Sequence, residues 1–145
     1  MQSAHATSDM RWAEARVGPQ RILGAYAWQR FLALGVPLAN GSDFPVEEPN
    51  PLWGVYAAIT RQDRTGAPAG GWFPDQRLTR EEALKSWTLG SAYAAFEEKT
   101  KGSLEPGKMA DFVMLSRDIM TVPAPEILTT RVKMTVVGGE IVYSE

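Results

Sequence analysis

The stretch Leu38-Ala39-Asn40-Gly41-Ser42-Asp43-Phe44-Pro45 limits what this chain can fold into more than any other. A short apolar run, Val36 to Ala39, ends in a cluster of turn formers that presents one carboxylate, Asp43. Gly41 permits a turn that a side chain would obstruct, and Pro45 cannot donate to a strand ladder. Upstream, Ile22, Leu23, Tyr26, Ala27, Arg30, Phe31 and Leu34 recur at three- and four-residue steps. That spacing predicts a helix from about Pro19 to Leu34 with one buried face, from which Trp28 and Gln29 fall away. Gly35 reads as its left-handed cap and Val36 to Ala39 as a short buried strand. Helix, glycine, strand and acid-bearing turn form the second half of a β/α repeat. Folds of that kind place their chemistry at the carboxyl ends of strands. Asp43 therefore has two readings: a chemical group at a strand end, or a cap on its turn or on the helix starting near Pro49 to Leu52.

Few other residues offer chemistry. The chain has no cysteine and a single histidine, His5. Disulfide frameworks, thiol catalysis and a site built from several imidazoles are thereby excluded for one copy of it. His5, Ser8 and Asp9 lie too close in sequence to argue for a triad, whose partners are usually distant. An ordinary loop histidine is the residue-level reading, because MQSAHATSDM lacks helical periodicity and resembles a strand end running into a loop. The net charge is −2 with both signs interspersed, so no basic stripe is available to neutralise phosphates. No apolar run is long enough to cross a bilayer, and no signal peptide is visible. Together with the lack of cysteine this fits a cytoplasmic setting. At 145 residues and 44% hydrophobic content, a single soluble domain with a sizeable core is expected.

Pro51 to Arg61 reads as a helix with proline in its first turn and an apolar stripe of Leu52, Val55, Tyr56 and Ile59. Glu47 and Glu48 precede it, adjacent and so diverging, and suit a solvated face at a helix start. Thr65 to Arg77 is a Gly- and Pro-rich loop whose Trp72 and Phe73 suggest a cover for a cleft or an interface. Its Gly70-Gly71 pair lacks the strand and helix context of a phosphate cradle. Thr79 to Glu82 is a capping box, opening a helix that should run to about Glu98 and bury Ala83, Leu84, Trp87, Ala94 and Ala95. From residue 103 the β/α rhythm is lost. Strands are expected at Ala110 to Leu115, Val132 to Val137 and Glu140 to Tyr143, the last two joined by Gly138-Gly139 as a two-residue hairpin loop. Asp118 to Pro125 reads as irregular. Three such strands leave open edges and an uncovered face.

Several of these stretches together resemble the C-terminal part of the amidohydrolase superfamily, in the branch containing N-substituted formamide deformylase. The likeness rests on HATSDM, on GSDFPVE at Gly41 to Glu47, on YAAITRQ at Tyr56 to Gln62 and on LTREEAL at Leu78 to Leu84. It continues through KGSLEPGKMADFVML at Lys101 to Leu115 and VVGGEIVY at Val136 to Tyr143. The resemblance implies an α/β fold: residues 1–102 as the C-terminal βα units of a TIM-like (β/α)8 barrel, and residues 103–145 as part of a small β-sandwich module. It places Val36 to Gly41 as the eighth barrel strand. Asp43 becomes the catalytic aspartate at that strand's end, serving metal or the proton of metal-bound water. His5 would line the substrate pocket.

The same resemblance implies zinc or another divalent metal in the complete enzyme, with Asp43 as a metal ligand only there. The family's remaining ligands lie on strands that would precede Met1, so no metal is expected on this chain alone. The expected function is that of the C-terminal part of a metal-dependent amidohydrolase acting on an amide-type C–N bond of a small molecule, inactive in isolation. The alternative is a non-catalytic self-associating module, or a subunit completing a barrel with another chain. Association through exposed apolar faces, as a homo-oligomer, is expected; nucleic acid and membrane are not expected partners.

Overall fold

The computed structural model describes all residues, 1–145. Its organising element is helix α4, Pro51–Thr60. Pro51 supplies a preset φ at the first turn, and the Asn50 side chain accepts the Leu52 amide at 3.0 Å. The predicted stripe holds, with Leu52, Val55 and Tyr56 buried and Ile59 half-buried. Gly54, Ala57 and Ala58 are buried too, so neighbours cover α4 on nearly every side.

Against α4 pack α1 (Ser3–Asp9), α5 (Arg80–Trp87) and the short α7 (Ala124–Ile127); the remaining helices are α2 (Ala13–Val17), α3 (Trp28–Ala33) and α6 (Leu89–Ala94), which packs on α5. Three antiparallel strands follow in the order β1-β2-β3: Phe112–Leu115, Val132–Val137 and Glu140–Ser144. Phe112 pairs with Val136, Met114 with Met134, and Val137 with Glu140 across the hairpin. Gly138 and Gly139 both hold positive φ, 59° and 85°, as a two-residue loop of this twist requires. One core contains Ala6, Trp28, Leu52, Val55, Tyr56, Ala58, Leu78 and Ala83 together with Ile119 and Ile127 from beyond residue 103.

Several expected elements differ. The N-terminal segment is helical (α1), because its start is anchored from outside the helix. Buried Ser3 donates its hydroxyl to the Gly54 carbonyl at 2.7 Å and its amide to Asn40 Oδ1 at 3.1 Å. The single helix expected over Pro19 to Leu34 is a 3-10 turn, Arg21–Gly24, followed by α3. Left-handed Tyr26, at φ 52°, breaks the two apart and rotates the face, so Trp28 is buried while Leu34 is 78% exposed. Gly35 does cap α3 at φ 74°: its amide reaches Leu32 O, and Val36 N reaches Phe31 O, a Schellman pair.

Val36 to Ala39, expected as a short buried strand and the start of an eighth barrel strand, forms no strand here, and Val36 is 43% exposed. The segment runs past the junction of α5 and α6, where a Cβ on Gly90 would collide with the Leu38 carbonyl. That crossing explains why the helix from Arg80 stops at Trp87 and restarts at Leu89. After the break Ala94 and Ala95 are exposed rather than buried as expected, and before it Leu84 is exposed and Trp87 only half-buried. The capping box itself is present, with Thr79 Oγ1 accepting the Glu82 amide and Glu82 Oε2 accepting that of Thr79. The core is also smaller than length suggested: 25 of 145 residues are buried, and large apolar side chains remain at the surface.

Candidate functional site

The site is built outward from Asn40, which sequence reading passed over as a turn former. It is buried, and its Oδ1 accepts from the amides of Ser3 and Gly41 at 3.1 and 3.0 Å. Its Nδ2 donates to the hydroxyls of Ser3 and Ser86 at 3.1 and 3.3 Å. Its main chain is also held, the amide donating to Ser86 O at 2.9 Å and the carbonyl accepting from Ser91 Oγ at 3.0 Å. A buried amide with every group paired rigidifies what it joins. Here it joins the start of α1, two residues before His5, to the segment that delivers Asp43.

Asp43 lies just past that anchor in the left-handed region, at φ 57°. Aspartate tolerates this conformation better than most residues with a side chain. Its main-chain carbonyl accepts from Val46 N at 2.8 Å, so the backbone closes the turn. Asn50, not Asp43, caps α4, which removes helix capping as the role of this acid. The carboxylate is 55% exposed, and Oδ2 sits 3.9 Å from His5 Nε2.

His5 is on α1 rather than in a loop, its side chain 21% exposed, with Nε2 buried and making no hydrogen bond. A buried ring nitrogen without a partner costs about 1–3 kcal/mol. The structure thus brings together the two residues that the sequence nominated.

A second network supports α1 from behind. The Tyr26 hydroxyl donates to Asp9, one helical turn beyond His5. Burial first, then this hydrogen bond and the negative charge of Asp9, push the Tyr26 phenol up to about 12 against the opposing pull of Arg61. Arg61 is wholly buried at the left-handed end of α4. Its Nη1 donates to Tyr26 O at 3.0 Å and its Nε to Trp72 O at 2.8 Å. The guanidinium lies 4.4 Å from the Trp28 ring centroid and 5.1 Å from that of Trp72. Burial lowers its pKa to about 10, which leaves it charged at neutral pH. Trp72 therefore covers a buried cation rather than a cleft. Its only sequence signal is an arginine directly after an apolar helix.

The model of the amidohydrolase family matches residues 1–143. This chain belongs to the amidohydrolase family. Over 145 residues, all of this chain and 27% of the relative, it is 32% identical to the putative amidohydrolase YtcJ of Bacillus subtilis (strain 168). It is 31% identical over 124 residues to the N-substituted formamide deformylase of Arthrobacter pascens, covering 86% of this chain and 22% of that protein. Among solved structures it matches an uncharacterized metal-dependent hydrolase from Pyrococcus horikoshii OT3. That match has a TM-score of 0.74 at 30% identity, covering 86% of this chain and 25% of that one. The chain thus spans about a quarter of the length of the relatives it matches. No group of three or more His, Cys, Asp or Glu side chains converges on one point.

Proposed function

We propose that this chain forms the C-terminal part of a metal-dependent amidohydrolase that cleaves an amide-type C–N bond in a small molecule. The observation that supports it most is the approach of His5 to a half-exposed Asp43, both anchored by Asn40. A catalytic zinc needs three protein ligands, and this chain offers two neighbouring donors, so its residues do not by themselves fit a metal centre. Zinc or another divalent ion would depend on donors outside these residues, and hydrolysis by this chain alone is not expected. Asp43 has the exposure to take a proton from an attacking water at a carboxylate oxygen and deliver it to the departing nitrogen. His5 lines the approach to it.

In architecture, residues 1–102 would be the closing βα units of a (β/α)8 barrel and 103–145 part of a β-sandwich module. Ile119 and Ile127 would dock the second unit into the first. The test is amide hydrolysis by the complete enzyme. Asp43→Asn should lower kcat on the order of 100-fold or more. His5→Ala should act mainly on KM. Unchanged rates in Asp43→Asn would overturn the assignment.

A second reading is favoured by the bare apolar surface, Ile141 and Val142 each being 61% exposed. It is a self-associating module, or a subunit that completes a barrel with another chain. Metal uptake only after mixing with that other chain would mark it.

A further inference from the structure

Helix α1 has seven residues, too few to hold a helix in water without outside support. Ser3 secures its first turn through Asn40 and Gly54, and Asp9 secures its last through the Tyr26 hydroxyl. His5 lies between the two anchors and shares a helix face with Asp9, four residues on. Tyr26 and His5 also line one cavity with Trp28 and Phe31. The other side-chain bond leaving the last turn, from Ser8 to Glu47, is exposed to solvent.

Tyr26 is itself fixed from across the fold. Its left-handed φ of 52° is unfavourable for a residue with a side chain and persists only where the surroundings impose it. Its carbonyl accepts from Arg61 Nη1 at 3.0 Å and from the Trp28 amide at 3.1 Å. Arg61 is wholly buried, with Nε on the Trp72 carbonyl and Nη2 unpaired. A buried cation whose donors meet only main-chain carbonyls is a poor source of stability. What it does achieve is directional: it holds the backbones of Tyr26 and Trp72, whose rings lie 5.6 Å apart.

We propose that Tyr26 is a positioning residue of the candidate site: clamped by Arg61, its phenol holds Asp9 and thereby fixes the face of α1 from which His5 approaches Asp43. Without the hydroxyl, α1 keeps its anchor at Ser3 but loses the directed bond beyond His5. Asp43 stays in place through Asn40, so the two residues part. The effect on substrate rests on the hydrolase reading; the effect on the geometry of the pair needs no turnover.

The experiment reads that geometry in the chain itself. His5 is the one histidine, so its imidazole gives one resonance, and the displacement of that resonance by Asp43→Asn at a fixed pH measures how closely the two residues approach. In a Tyr26→Phe background the displacement should fall at least about twofold, because the coupling of two groups decays as they separate. Asp9→Ala should reproduce the fall. Thr79→Ala, which destabilises the chain at α5, should leave the displacement unchanged, separating a positioning role from a general loss of stability. In the complete enzyme, Tyr26→Phe should raise KM by roughly fivefold with kcat little changed, and should add nothing further in a His5→Ala background. A displacement indifferent to Tyr26→Phe, an equal fall in Thr79→Ala, or KM effects of Tyr26→Phe and His5→Ala that multiply would each overturn the positioning role. An Asp43→Asn enzyme of unchanged rate would sink the hydrolase assignment while the resonance result stood.

Discussion

Asn40 does more for this molecule than its turn propensity suggests. It joins α1 to the Asp43 segment and to α5 through buried hydrogen bonds at both ends of its amide. Asn40→Ala leaves the Ser3 amide buried without an acceptor and removes three further bonds. We expect a loss of roughly 2–3 kcal/mol in urea unfolding, with a changed imidazole NMR shift for His5, the one histidine. Tyr26 offers a test at the same scale. Its folded pKa of about 12 exceeds the ordinary 10, so the folded chain keeps this proton while the unfolded chain loses it. Stability from this group is complete below pH 10 and declines as pH rises toward about 12. Ultraviolet titration should therefore show one of the four tyrosines ionising last. Asp9→Asn should bring that midpoint down.

Elements succeeded or failed according to where their signals lie. The capping box on α5 is a local device, four consecutive residues satisfying two amides, and it was legible from Thr79-Arg80-Glu81-Glu82 alone. Burial opposes ionisation of Glu82, but hydrogen bonds from the Thr79 amide, Gln29 and the Thr79 hydroxyl outweigh it and hold its pKa below the usual range. The resulting stabilisation is present above the ordinary carboxylate pKa of 4.5 and fades as pH falls through the lower folded value. Thr79→Ala should cost about 1 kcal/mol in thermal unfolding at neutral pH. Glu82→Gln should flatten the acid limb of stability against pH. The far end of this helix was misjudged because Gly90 yields to the passing Leu38 backbone, a contact absent from any local pattern. The helix expected through Tyr26 failed for a related reason. Arg61 holds the Tyr26 carbonyl from across the fold.

At the scale of the whole molecule, apolar surface is the dominant fact. Phe96 is 94% exposed and Leu34 78%, and β3 is exposed along its length with one unpaired edge. Exposed apolar side chains and unpaired strand edges of this kind favour association. We expect the isolated chain to sediment as a dimer or larger species at micromolar concentration and to dissociate on dilution. A monomer throughout would count against both readings that leave these faces to be covered. No helix is long and apolar enough to cross a membrane.

The family, the α4 stripe, the α5 cap and the glycine hairpin were all determined by the sequence alone. Each is carried by neighbours along the chain or by motifs that survive being read one residue at a time. Tertiary structure alone decided that Asn40 is the anchor and that Arg61 is buried between two indoles. It also decided that Val36 to Ala39 lies beside helices rather than in a sheet. Burial and hydrogen-bond partnership depend on which distant segment arrives, and a carboxamide or guanidinium has the same letters whether it meets water or a buried carbonyl.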